Sequence, residues 1–388
     1  MTRHFSVPKV LRMTPNRLLQ EFFNRLGHKL LSLDWRKVKE YNVEPLLLSM
    51  SWLAREAQDE IESTLASIFE LASESGSRAI VEVAHQDGQA DAFGDLPEDV
   101  SCYERAMWTW LNHPKVFEQA SLIHQVENLT RWRKRSGLPR IQPRATPAAT
   151  RELAIALSQC LRREEGRGQR CTIEYFRRRD GADVFVAYPD DFVQTILQHD
   201  NLGRLVPRPL RPTFEIAFAY REDEGTLELF AQVAPALKPK LESLFGQIIL
   251  DADLDASGSS RPYDLNRLKD RYFCLETDPT DHVSASIARL RLEVPGYGRL
   301  TVEPTGHCLA GNVFEVIDDC LNEQAVPWEI VNISLATFRF QFAAVSGRQP
   351  GTLTFDVTFP DHCCVKSRRP ERIELTRKYL RHWRIARA

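Results

Sequence analysis

The sequence lacks the segments that direct a protein into or through a membrane. Its start, Met1–Phe5, leads into no apolar region with a small-residue cleavage site, so we expect no signal peptide. Its most apolar stretch, residues 46–54, is far shorter than the ~20 residues that a membrane-spanning helix needs. We therefore predict a soluble, cytoplasmic protein with no membrane partner.

Motifs of the common enzyme classes are also missing. No GxSxG, HExxH, P-loop or GxGxxG pattern occurs in the 388 residues. The eight cysteines include no CxxC pair, and most occupy apolar positions, as Cys160 does, which is typical of reduced thiols in the cytosol. We predict no catalytic residue and no cofactor, although catalytic groups drawn from separate elements leave no local motif.

Two short runs contain residue types that bind zinc. They are His307-Cys308 and His362-Cys363-Cys364. Adjacent residues of a strand point to opposite faces, so at most one or two side chains of each run can converge. The same geometry weakens a thiol–imidazole pair between His362 and either neighbouring cysteine. We predict no metal site.

Helical periodicity dominates residues 1–165. Thr14 is a plausible N-cap for a first helix that ends at Gly27. Further helices are predicted over residues 45–76, 98–111, 114–135 and 148–163. We place a domain boundary near residue 165, where the periodicity changes.

In residues 166–388 the helical periodicity gives way to an alternating one. Strands are predicted near residues 171–177, 183–188, 213–220 and 226–231, and helices near 190–197 and 239–250. Two looser ββα copies follow, which divides this part into sub-units of about 166–250 and 270–388. Residues 182–276 also fit a βαββαβ, ferredoxin-like order. The predicted fold class is α+β: a helical N-terminal domain, then repeated ββα units, with a ferredoxin-like core as the alternative description.

Charge is strongly segregated along the chain. Residues 56–104 hold 13 acidic residues and one basic residue, whereas residues 131–170 hold 11 basic and three acidic ones. Segregation of this kind produces local potentials that steer partners. Lysine is scarce, with 11 Lys to 40 Arg, and because arginine codons are mostly GC-rich we infer a bacterial origin. We expect the acidic segment to face a protein partner, with solubility as the simpler explanation.

The densest basic stretch and the C-terminal helix are the candidate nucleic-acid contacts. Guanidinium groups bind phosphates in a bidentate manner, and a tryptophan among them can stack on a base. The candidate residues are Arg131, Trp132, Arg133, Lys134, Arg135, Arg140, Arg377, Lys378 and Arg381. The simpler explanation is a solvated helix end whose cations suit the helix dipole.

The sequence favours a non-catalytic subunit. We predict an accessory or assembly subunit of a bacterial multi-protein system, with a nucleic-acid-processing or defence role as one possibility. Protein partners and weak, sequence-independent contact with nucleic acid are expected. The alternative is a motif-poor enzyme such as a nuclease or hydrolase.

Overall fold

The computed structural model describes residues 4–28, 30, 33–86, 88, 100–200, 202–254, 262–270, 273–304, 312–322, 326–345, 350–365 and 370–387. It contains two compact units, Met1–Leu129 and Thr130–Ala388. The division lies after Leu129 rather than near residue 165, because the helix Pro147–Glu165 packs on the sheet of the second unit. In the described part of the chain, no helix combines the length and apolarity required to cross a membrane.

The first unit is helical, as predicted, but its helices begin and end elsewhere. They are α1 (Val7–Met13), α2 (Asn16–Arg25), α3 (Glu44–Ser51), α4 (Arg55–Leu71), α5 (Glu74–Gln86), α6 (Cys102–Asn112) and α7 (Pro114–Asn128). Thr14 ends α1, with its hydroxyl donating to the Val10 carbonyl, and does not cap α2. The predicted helix over 45–76 is three helices. Gly76 lies inside α5, where a Cβ would approach the Leu71 carbonyl oxygen to 2.2 Å.

The second unit is built on a large antiparallel sheet. Its helices are α8 (Pro147–Glu165), α9 (Lys238–Ile249), α10 (Val313–Cys320) and α11 (Pro370–His382). Its strands are β1 (Arg133–Ser136), β2 (Cys171–Arg177), β3 (Asp183–Pro189), β4 (Gln194–His199), β5 (Leu205–Leu210), β6 (Ile216–Arg221), β7 (Thr226–Ala231), β8 (Val283–Val294), β9 (Gly298–Val302), β10 (Asn332–Phe342), β11 (Gly351–Thr358) and β12 (His362–Cys363). Among the described residues, ten strands form one sheet in the order β2-β3-β6-β7-β1-β12-β11-β10-β8-β9, and β4 and β5 form a separate two-stranded sheet.

The mixed α+β class is confirmed. The finer prediction, repeated ββα units with a ferredoxin-like core as the alternative, is not confirmed. Both predicted hairpins, β2–β3 and β6–β7, are present, and α9 follows the second. Residues 190–197, predicted as a helix, instead lead into the strand β4. The helix predicted over 114–135 ends at Asn128, and β1 follows it. Without a helix between β3 and β6 the ferredoxin-like order is not formed.

The sheet has a hydrophobic core on each face. Leu229, Arg133 and His362 are aligned across β7, β1 and β12, so their side chains share one face. On that face α8 and α9 cover the first half of the sheet, where Phe245 stacks on Phe218 with ring centroids 4.8 Å apart. On the opposite face α11 covers the second half, where Trp383 packs on aromatic side chains of β10. Strand β1 lies between the half of the sheet whose core is on the α9 face and the half whose core is on the α11 face.

Candidate interface: the β1 ion network and the β-arm

The basic stretch forms a central strand of the sheet and is not a helix end. Strand β1 pairs with β7 on one side and with β12 on the other. Because side chains alternate along a strand, Arg133 and Arg135 point toward α9, whereas Lys134 points toward α11. We call these residues and their carboxylate partners the β1 ion network.

On the α9 face, the two arginines surround a buried carboxylate. Glu242 is 1% exposed, with its Oε1 3.4 Å from the Nε of Arg133 and its Oε2 3.4 Å from an Nη of Arg135. The Nε of Arg133 also lies 2.8 Å from Asp361 Oδ2, and Asp361 Oδ1 lies 2.5 Å from His362 Nδ1. Burial raises the pKa of Glu242 although both arginines oppose that shift. The cations on this face are therefore engaged within the protein.

On the α11 face, the two predicted basic segments share the same carboxylates. Glu224 is 3.4 Å from Lys134 and 3.0 Å from Arg381, and Glu228 is 3.6 Å from Arg377. Burial would raise the pKa of Glu224, but the surrounding cations, Lys134 and Arg381 foremost, together outweigh it and the pKa is lowered. The structure thus brings the basic residues of strand β1 and of the C-terminal helix α11 together in the β1 ion network.

The other candidate residues are split between internal contacts and solvent. The Nζ of Lys378 is 2.6 Å from Asp281, and the Trp132 ring packs 5.9 Å from that of Phe230. Arg131 and Arg140 are exposed, and no carboxylate of the described residues pairs with either one. Of the candidate nucleic-acid contacts, these two arginines are the best placed to meet an external phosphate.

The zinc-binding residue types do not assemble in the part of the chain that can be described. His307 and Cys308 lie outside it. Cys363 points to the α11 face, opposite His362, and its burial raises the pKa of the thiol to about 12. Among the described residues, no three His, Cys, Asp or Glu side chains are close enough to hold a metal ion. Much of the predicted acidic segment, at residues 87 and 89–99, is likewise outside the described ranges.

An exposed two-stranded β-hairpin, which the sequence analysis missed, lies in the described part of the second unit. We call residues 190–213 the β-arm; it contains β4 and β5, and all six residues of β4 are exposed. Large apolar side chains face solvent on it: Phe192, Val193, Ile196, Leu197, Leu202, Leu205 and Leu210, of which Leu202 is 76% exposed. A concentration of large exposed apolar side chains on one hairpin is typical of an interaction site.

The base of the β-arm is fixed by one arginine. The guanidinium of Arg167 donates to Asp191 and Glu165 at 2.8 Å and to the carbonyl of Gln232 at 2.7 Å. It also stacks on the Phe214 ring at 3.8 Å from the centroid. Burial would lower the pKa of Arg167, but its hydrogen bonds to the two carboxylates outweigh this and raise it. Arg167 therefore ties the base of the β-arm to the rest of the second unit.

The β-arm has a sequence signal that is visible once its register is known. Gly203, between β4 and β5, has a φ of +74°, and the residues of the two strands alternate between the two faces of the hairpin. Asp190 and Asp191 are of a residue type that often begins a helix, and this favoured the helix predicted over residues 190–197. No family model matches the chain, and neither a curated protein nor a solved structure matches it.

Proposed function

We propose that this protein is a non-catalytic assembly subunit that docks onto a protein partner through the β-arm. The observation that carries the proposal is a hairpin made almost entirely of exposed residues, several of them large and apolar, on a fixed base. Leaving such side chains in water is unfavourable by about 25 cal/mol per Å² of apolar surface that a partner could cover. A partner that covers the β-arm recovers this free energy.

The ion network supports a subordinate role for nucleic acid. Six of the nine candidate residues are ion-paired to carboxylates of the same unit. A phosphate would have to compete with those carboxylates, which leaves Arg131 and Arg140 as the main contacts. We propose that nucleic-acid binding is weak and does not depend on base sequence, because backbone contacts carry no sequence information.

The cellular setting is proposed from the sequence. The free cysteines among the described residues fit a reducing, cytoplasmic location. A bacterial multi-protein system remains the proposed context, with nucleic-acid processing or defence as its role. The docking surface does not depend on which of these roles is correct.

Photo-crosslinking in cells tests the docking role. A photoreactive amino acid at Leu197, which is 67% exposed on the β-arm, should give a discrete crosslinked species that mass spectrometry can identify. The same amino acid at Thr354, exposed on β11, is the matched control and should give none. Equal labelling at both positions, or none at Leu197, would refute docking through the β-arm.

A hydrolase is the second candidate, and one arrangement favours it. Asp361 holds the Nδ1 of His362, which is the way a carboxylate orients a catalytic imidazole. Burial raises the pKa of nearby Glu242 and lowers that of Lys238, as in acid–base sites. Hydrolysis of generic ester and phosphodiester substrates that is lost in His362→Ala would support this candidate.

A further inference from the structure

The two edges of the β-arm are unequal. The N–H of Asp200 donates to the carbonyl of Arg204 at 2.9 Å, so this pair is hydrogen-bonded, and bonded and non-bonded pairs alternate along an antiparallel ladder. Pro207 and Pro209 then belong to non-bonded pairs, in which the missing N–H of proline faces away from β4. The outer edge of β5 consequently lacks two of its donors.

The outer edge of β4 retains its donors. Thr195 and Leu197 are the register partners of the two prolines, so their N–H and C=O groups point away from β5. No other strand of the described chain pairs with β4. Strand β4 contains no Lys, Arg, Asp or Glu, whereas β5 carries Arg208 and is flanked by Arg204 and Arg211. Of the two edges of the β-arm, only that of β4 can accept another strand without opposing charges or missing donors.

We propose that β4 pairs antiparallel with β4 of a second copy of this chain. The inference rests on the proposed function, since it names the partner of the β-arm. When Thr195 lies opposite Leu197 of the second copy, Ile196 meets Ile196 and Gln194 meets Gln198. This two-fold register forms about four backbone hydrogen bonds between uncharged residues.

The charge distribution favours this arrangement of two copies. In the resulting four-stranded sheet, β5-β4-β4-β5, the arginines of each β5 lie at the outer rims and remain in solvent. The isoleucine pair at the two-fold axis is non-bonded, which brings its side chains closest. Pairing through the two β5 strands would instead bring Arg208 of one copy close to Arg208 of the other.

Sedimentation velocity of the full chain over a concentration series tests the pairing. The wild type should form a dimer. Leu197→Pro removes an N–H that points away from β5. The hairpin already contains a proline at the equivalent non-bonded position of β5, Pro207, so its own hydrogen bonds should be kept. The substitution should weaken the dimer about tenfold or more. The matched control Leu205→Pro removes an outward N–H from the β5 edge and should leave the dimer unchanged.

Disulfide trapping tests the register. In a chain with Cys274 and Cys320 changed to Ser, Ile196→Cys should crosslink two copies on oxidation, because non-bonded pairs approach closely. Gln198→Cys should not. A monomeric wild type, or a dimer indifferent to Leu197→Pro, would overturn self-pairing. In either case a crosslink from Leu197 to a different protein in cells would leave the proposed docking function intact.

Discussion

Replacing Arg133 by methionine tests whether the β1 ion network stabilises the sheet. Methionine keeps an unbranched, apolar side chain that reaches about as far as the arginine Nε, and it removes the guanidinium and its charge. Asp361 would lose the Arg133 Nε at 2.8 Å, and Glu242 would keep only Arg135. The change therefore leaves two buried carboxylates, Glu242 and Asp361, near each other without a shared cation.

The expected destabilisation can be estimated from burial. Removing one partner of a fully buried ion pair costs about 3–5 kcal/mol. The side chains of Arg133 and Asp361 are 21% and 11% exposed, so solvent screens part of this loss. We expect Arg133→Met to destabilise the second unit by about 2–3 kcal/mol. Arg131→Met, at an exposed site two residues away, is the matched control and should change stability by less than about 0.5 kcal/mol.

Hydrogen exchange read by mass spectrometry gives the opening free energy of the peptide that contains β1. This readout isolates the second unit, which a global unfolding curve of a two-unit chain does not. A double-mutant cycle with Asp361→Asn should show a coupling energy above about 0.5 kcal/mol. If Arg133→Met and Arg131→Met behave alike, the network is not structural, and Arg133 is then available to bind phosphate.

Four further outcomes are expected. Arg167→Ala should lower the opening free energy of the β-arm by about 2 kcal/mol, seen as faster proteolysis within residues 190–213. Arg167 and the Phe192 N–H, against opposing burial, hold the pKa of Asp191 below its usual value. That stabilisation is present at pH 7 and should be lost as the pH falls through the lowered pKa, below about pH 4, with faster exchange at the base of the β-arm. Nucleic-acid affinity should fall with salt with a log–log slope of about −2, and the double change Arg131→Ala, Arg140→Ala should abolish it in fluorescence anisotropy. Protein purified without chelator should contain far less than one zinc per chain by elemental analysis.

The hairpins were predictable because their signals are local. Strand β2 alternates in burial, β6 alternates large apolar residues with alanines, and β3 is a short apolar run; glycines at the two turns adopt positive φ, +81° at Gly181 and +62° at Gly225. A turn of this kind requires glycine, and an alternating pattern has only one register that buries its apolar face. Neither feature depends on the rest of the chain.

Strand β1 was not predictable in the same way. Its four residues, three of them cationic, have no strand-like alternation and become a strand only by pairing with β7 and β12. The carboxylates that neutralise them lie far along the chain: Glu224 is 90 residues from Lys134, and Glu242 is 107 from Arg135. A single sequence contains no local signal for contacts of that range.

The same long-range pairing explains why the proposed docking surface is apolar although the sequence is rich in charge. Burying β1 in the sheet required a carboxylate near each of its cations, so the basic stretch that dominates the sequence contributes little free charge to the surface. The β-arm is the reverse case, since no described element covers its apolar side chains. Its prolines close one edge to strand addition, and the uncharged β4 leaves the other open. An exposed hairpin with one blocked edge and one open edge admits a strand on a single side, which limits growth to a closed pair and disfavours an open-ended aggregate.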